Sequence, residues 1–366
     1  MWFGTVESML YAAIIQGGIQ TLVLLVYLNF RFPGFWLKFN AKFFREHLVY
    51  AVPFGAAGIL WTLQNDMHYY FVSNTFGEAM FAIYAIGCFQ LPLITMLAES
   101  VTSVLIPRMS QLQLVDDRNE MVRVTVGAMQ KLSFFYFPAY VFLFITAETF
   151  ITTLFTDKFT ESVPVFLIFL TFLPFHIMLA DPIVRAYEDL GRFLLKLRIA
   201  TFITLFTALY FGVQYFGLKG IIGTVVVIRI AEMLIAESVV FHRIGVRLQD
   251  FRLLKNIGKT ALISLFAGVF TFAVYYYVKE FTPSIGEYLV RIFFAQPGTG
   301  IVNFVSGSLT LGITFGVYAS IYLLAAYFWN IIDSGEKETI INLFNKLLNP
   351  FNKRREIQTP QSQTLD

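Results

Sequence analysis

The 366-residue sequence predicts an all-α, polytopic transmembrane helical bundle of about nine spans, and three observations carry that expectation. Hydrophobic residues make up 57% of the chain and charged residues 14%, against soluble averages of roughly 45–50% and 25%. Apolar runs recur, each long enough at about 1.5 Å per helical residue to cross a hydrocarbon layer of about 30 Å. The cations crowd into every second connection, as expected of a chain threaded repeatedly through a bilayer. A net charge of +3 is too small to point to nucleic acid.

In chain order the runs cover residues 8–30, 48–72, 79–107, 132–155, 162–184, 197–217, 220–241, 260–278 and 301–329. The first has no Lys or Arg before Arg31, so it reads as a retained helix and not as a signal peptide. The second and third form a helical hairpin around the polar turn at 73–78. They contain Pro53, Gly55, Gly58 and Pro92 together with the ionisable Asp66 and Glu99, residues that face a bundle interior or a watery cavity more readily than lipid. The third and ninth runs exceed the hydrocarbon thickness, which for the third predicts a tilt or a kink at Pro92. Pro53, Pro138, Pro164, Pro174 and Pro182 recur along successive spans; prolines remove backbone hydrogen bonds and supply hinges, although static membrane helices contain them too. Residues 280–300 read as the longest external connection, resting at the interface. After the ninth run, Asp333 to Glu336 resembles a capping box, and Ile340, Leu343, Phe344 and Leu347 repeat at helical spacing before Pro350. This predicts an amphipathic helix on the inner surface, held by Lys353 to Arg355 and followed by a disordered tail.

Of the cations in the connections, twenty-two lie on one side and four on the other, Lys158, Lys219, Lys279 and Arg291. The positive-inside rule then places the C-terminus in the cytoplasm and the N-terminus outside. An odd number of spans starting outside, with no signal peptide, is what remains when an odd number of earlier spans has been removed. The chain therefore reads as truncated or split; a natural nine-span protein inserted with its N-terminus out is the alternative.

Within the spans, a few polar residues carry the chemistry. Arg229 is the deepest charge, near the bilayer midplane, and Glu232 lies three residues on along the same face. The two read either as an ion pair that locks the bundle or as a cationic contact for a phosphate or sugar-acid group, which the planar guanidinium fork suits. Gln64, Asn65, Asp66 and His68 fall within five positions, so part of that turn should line a cavity. Asp66 is the candidate for binding a proton or Na⁺ and coupling transport to an ion gradient, against the plainer reading of a wetted vestibule residue. Gln90, beside Pro92, sits where a kink would expose a backbone carbonyl. Glu99 and Asp181, near the inner ends of their spans, have Arg108 and Arg185 close in sequence and read as gate or interface ion pairs. Glu148 has no local partner of this kind. His47, His68, His176 and His242 are isolated, and no metal-binding spacing, P-loop, Asp-x-Asp or nucleophile elbow occurs. No cofactor, metal or enzymatic activity is expected. Cys88 is the single cysteine and reads as core filler.

A family resemblance follows from the order of several segments. Pro53-Phe-Gly55 is followed by a helix with an acidic residue near its outer end, a short Gly turn, Ala82-Ile-Tyr-Ala85 and Leu105-Ile-Pro-Arg-Met-Ser110. Then come Thr153 to Phe155 before Ser162-Val-Pro-Val-Phe166, Pro182 to Gly191, and Phe216-Gly-Leu-Lys-Gly-Ile-Ile-Gly223. Over most of residues 8–242 this resembles the second half of polysaccharide flippases of the multidrug/oligosaccharidyl-lipid/polysaccharide exporter superfamily. The resemblance implies two pseudo-symmetric six-helix lobes, about twelve to fourteen spans in all, rocking around a partly cationic cavity. It divides this chain into an orphan span and basic loop (1–47), a second lobe (48–242), an accessory helix pair (243–329) that would offer a groove to a lipid tail, and a cytoplasmic end (330–366). It also implies movement of a lipid-linked oligosaccharide to the outer leaflet of the inner (plasma) membrane. Matching the first span to the family's sixth leaves five missing. The implied partners are the lipid-linked glycan, membrane lipids, and a separately encoded N-terminal half or polysaccharide-assembly proteins. Alternatives are a drug or small-metabolite exporter, a membrane glycosyltransferase or ligase, for which the outer loops are short, and a non-transporting scaffold.

Overall fold

The computed structural model describes residues 6–34, 40–247, 250, 252, 254–293 and 298–331, and every regular element among them is helical. The amphipathic helix and tail expected beyond the ninth run lie outside the described residues. The helices are α1 (Val6–Arg31), α2 (Ala41–Gly87), α3 (Pro92–Leu114), α4 (Arg118–Phe155), α5 (Val163–Leu170), α6 (Ala180–Val184), α7 (Glu188–Ile244), α8 (Lys255–Phe293) and α9 (Thr299–Phe328). Six helical stretches among the described residues are long and apolar enough to cross a membrane, one of them the composite Asp157–Ile177 that includes α5, or up to seven if the bent α2–α3 pair is counted as one span. The fold is thus a polytopic helical bundle.

The difference from about nine spans has local causes. The second run and the start of the third share the 47-residue α2, interrupted only at Gly77, where φ 78° and ψ 178° turn the backbone. Such angles are open to glycine and strained for other residues. The kink expected at Pro92 is a full break at residues 88–91, with α2 and α3 bent by 54°. The sixth and seventh runs form the 57-residue α7, interrupted at Gly217 (φ 58°, ψ −175°). Its second half, residues 218–244, carries Arg229, Glu232 and Glu237, too many charges for a free lipid-facing span. The fifth run, expected as one span over 162–184, is among the six over Asp157–Ile177 but is not a straight helix: a 3-10 segment at Asp157–Ser162 precedes α5, a second at Leu173–Ile177 follows it, and α6 comes after. Pro164 and Pro174 stand in the first turns of their segments, where a missing N–H is tolerated, and each lacks the donor that a helix continuing through it would need.

The chain divides into two compact units, Met1–Ala56 and Ala57–Asp366. In the first, α1 exposes apolar side chains such as Ile14 and Leu22. The α2 start is fixed by Asn40, whose side chain accepts hydrogen bonds from the Lys42 and Phe43 amides at 3.0 and 3.2 Å.

The second unit has two cores. One joins α2, α5 and α7 through Val72, Tyr84, Val165, Leu205, Leu209 and Ile222. The other packs α8 and α9 on α4 through Val141, Ile263, Ala267, Tyr318 and Tyr322. Small residues let these backbones approach: Gly268 lies against Val141, Gly286 against Ser306, and Gly307 against Thr153. Polar pairs reinforce the seam, with Thr282 and Thr310 hydroxyls 2.7 Å apart and Tyr322 donating to the Phe134 carbonyl at 2.9 Å. The same packing explains why residues 280–293, expected in an external connection, continue α8: Thr282 and Gly286 both face α9. Glu148, without a partner near it in sequence, meets Lys279 of α8 at 2.9 Å.

Candidate functional site: a cavity with a buried charge cluster

Within the second unit a cavity of about 360 Å³ lies between α2, the α2–α3 break, α3, the segmented fifth run and both halves of α7. Trp61, Tyr69, Phe89, Phe169 and Phe172 make much of its wall aromatic, and Asn65, His68, Gln90, His176, Arg198, Arg229, Glu232 and Glu237 add polar groups. The breaks described above create this space. The wall turns at Met178, whose backbone is extended (φ −71°, ψ 123°).

The charges converge from both halves of α7. Arg229 and Glu232, three residues apart, face the same way, with Nε 3.9 Å from Oε2. Arg198, in the half before Gly217, brings Nη1 to 3.0 Å from Glu232 Oε1. Gln64 of α2 ties the cluster to a third segment: its Nε2 donates to the Arg198 carbonyl at 2.8 Å, and Arg198 Nη1 donates to its Oε1 at 3.4 Å. The Arg229 guanidinium also lies 5.7 Å from the Trp61 ring centroid and 5.9 Å from that of Phe172, within cation–π range. Side-chain exposure is 8% for Arg229 and 4% for Glu232, so these charges depend on one another and not on water. A unit-charge pair near 4 Å attracts by about 4 kcal/mol at an effective dielectric constant of about 20, enough to offset part of the desolvation.

The cluster is held by proximity more than by aligned hydrogen bonds. Among the described residues, neither Glu232 oxygen makes a hydrogen bond of good geometry, and Arg198 Nε and Arg229 Nη1 are likewise without one. Glu237, 4% exposed, has both carboxylate oxygens in the same condition. At the aromatic end, His68 Nδ1 and the Tyr84 hydroxyl are 3.0 Å apart.

Of the residues singled out in the sequence, Arg229, Glu232, Asn65, Gln90, Glu99 and Asp181 line the cavity. Gln64 is fully buried behind Arg198. Asp66, the ion-coupling candidate, is exposed and is not among the lining residues. Asp181 and Arg185 form a pair at 2.7 Å, whereas Arg108 lies 3.8 Å from Glu120 of α4 and not beside Glu99. Sequence reasoning missed Arg198 and Glu237. Arg198 stands among the cations of a basic connection but at the head of an apolar run, and Glu237 shares with Arg229 the signal of a charge inside such a run.

Residues 1–164 match the family model described as polysaccharide biosynthesis protein. No curated protein and no solved structure matches the chain. The matched part contributes the α2 and α3 walls of the cavity, while the α7 charges lie beyond it. The apolar helices describe a multi-pass membrane protein, and its first 164 residues are similar to polysaccharide biosynthesis proteins.

Proposed function

We propose that this multi-pass membrane protein, similar in residues 1–164 to polysaccharide biosynthesis proteins, moves an anionic, lipid-linked oligosaccharide precursor across the membrane. The observation that carries the reading is the guanidinium pair, Arg198 and Arg229, in the wall of a cavity inside an apolar bundle. Buried guanidinium is costly in a membrane protein and tends to mark a substrate path. Its forked donors match phosphate oxygens. Movement would follow the alternating-access scheme, with the backbone breaks at Gly77, residues 88–91 and Gly217 as hinges. Transport needs no bond-making step from this chain, and we assign it none. The membrane is the inner (plasma) membrane, with the basic connections and the C-terminus on the cytoplasmic side.

The test is reconstitution of the full chain into proteoliposomes carrying a fluorescent lipid-linked oligosaccharide, with the label on the outer leaflet quenched over time. Wild-type protein should accelerate exchange between leaflets, and R198A/R229A should reduce the rate about tenfold or more, the effect of losing charge-assisted hydrogen bonds. Exchange no faster than in empty vesicles, with and without candidate partner proteins, would sink the reading. The aromatic wall of Trp61, Phe169 and Phe172 favours a second reading, export of amphipathic organic cations. Uptake of a fluorescent cation in the same vesicles, together with no glycan exchange, would support that reading instead.

A further inference from the structure

Glu232 occupies the place that a substrate anion would take. Its two oxygens stand 3.0 Å from Arg198 Nη1 and 3.9 Å from Arg229 Nε, so one carboxylate bridges both guanidiniums. The bridge is a poor one. Neither oxygen makes an aligned hydrogen bond, and Arg198 Nε and Arg229 Nη1 find no acceptor among the described residues. A planar, single-charged carboxylate tied to its own helix cannot satisfy two forks that approach from the two halves of α7.

We propose that Glu232 is a tethered competitor for the guanidinium pair and sets a charge threshold on what the cavity accepts. The inference rests on reading the cavity as a substrate path. A carboxylate arriving from outside would exchange one single charge for another. It would strand Glu232 buried without a cation, and it would have to overcome a side chain held in place at an effective concentration on the order of millimolar. Such a group is refused. A diphosphate brings two or more charges and enough oxygens for both forks, so it gains attraction to each guanidinium beyond what Glu232 supplied. The group selected is therefore a diphosphate, and a sugar carboxylate elsewhere on the substrate is not what the pair reads.

The experiment uses the full chain in nanodiscs of zwitterionic lipid, titrated calorimetrically with inorganic pyrophosphate and, separately, with glucuronate. Wild-type protein should bind pyrophosphate at least about tenfold tighter than glucuronate. E232Q should tighten glucuronate about tenfold and narrow the ratio, and R198Q should weaken pyrophosphate about tenfold. Equal affinities in wild-type protein, no binding of either probe, or E232Q leaving glucuronate unchanged or weaker would each overturn the proposal. Should E232Q fail to fold, E232D, which draws the carboxylate back by one methylene, takes its place and should narrow the ratio in the same direction; an unchanged ratio overturns the proposal. Nanodiscs doped with a polyprenyl diphosphate separate the sources: competition with pyrophosphate identifies a lipid headgroup, and no competition identifies a soluble diphosphate; both keep the threshold. A chain that flips the glycan lipid but shows no probe preference sinks only this inference, while preference without flipping sinks only the transport reading.

Discussion

At the residue scale, two kinds of glycine in this molecule respond differently to one added methyl group. A Cβ on Gly87 would sit 2.5 Å from both Cβ and Cγ1 of Val165 and 3.1 Å from the Ser162 carbonyl, where the end of α2 meets α5. We expect G87A to destabilise the protein by about 1–3 kcal/mol through overpacking. V165A should recover part of that loss, because the clash is with that side chain. Thermal unfolding of the four proteins of this cycle in one detergent measures it, and strictly additive losses would contradict the contact. Gly217 is the opposite case, with open space around its Cβ position and φ +58°. G217A should cost on the order of 1 kcal/mol from the backbone alone, and truncating neighbours should recover none of it. Gln64 gives a third expectation: Q64L removes both links to Arg198 and should cost about 1–3 kcal/mol, more than Q64E.

At the scale of elements, length and apolarity made the helices legible, and proline positions made the third-run kink legible. What could not be read was how breaks combine. Three prolines in the fifth run read as three separate hinge candidates; in the structure the run stays long and apolar enough to cross a membrane but is broken into short helices and a 3-10 segment that form a cavity wall. The extension of α8 through residues 280–293 was equally hidden, because Thr282 and Gly286 matter there only through α9. For the site, the Arg229–Glu232 pair was readable from helical spacing. Arg198 was not, since its contact with Glu232 depends on the reversal at Gly217, which spacing along the chain does not encode. Asp66 illustrates the converse: its neighbours Gln64 and Asn65 turn inward, and the helical rotation that points them there leaves Asp66 exposed. The outer pair of Glu148 and Lys279, about half exposed on each side, should contribute under about 1 kcal/mol. E148Q should accordingly leave the unfolding temperature almost unchanged, and a large drop would mean that α4 and α8 depend on that contact.

At the scale of the whole molecule, orientation is open to direct measurement because Cys88 is the single cysteine and is buried. On a C88A background, K158C should react with a membrane-impermeant maleimide added outside intact cells, and R192C only after the membrane is opened. The reverse pattern would invert the assignment of sides. The charge cluster also bears on how the protein is made. A helix entering the bilayer from the insertion machinery is judged on its own hydrophobicity, and Asp, Lys or Arg at a helix centre adds about 2.5–3.5 kcal/mol per residue on that scale. Residues 218–244 present Arg229, Glu232 and Glu237 together, so this segment cannot enter lipid as an independent passenger. It has to be received by helices already in place, with Trp61 of α2 beside Arg229 and with Arg198, itself held by Gln64, meeting Glu232. Biogenesis of this chain is therefore ordered: the last helix of the cavity is admitted by the first, and the groups that define the site also serve as its entry permit.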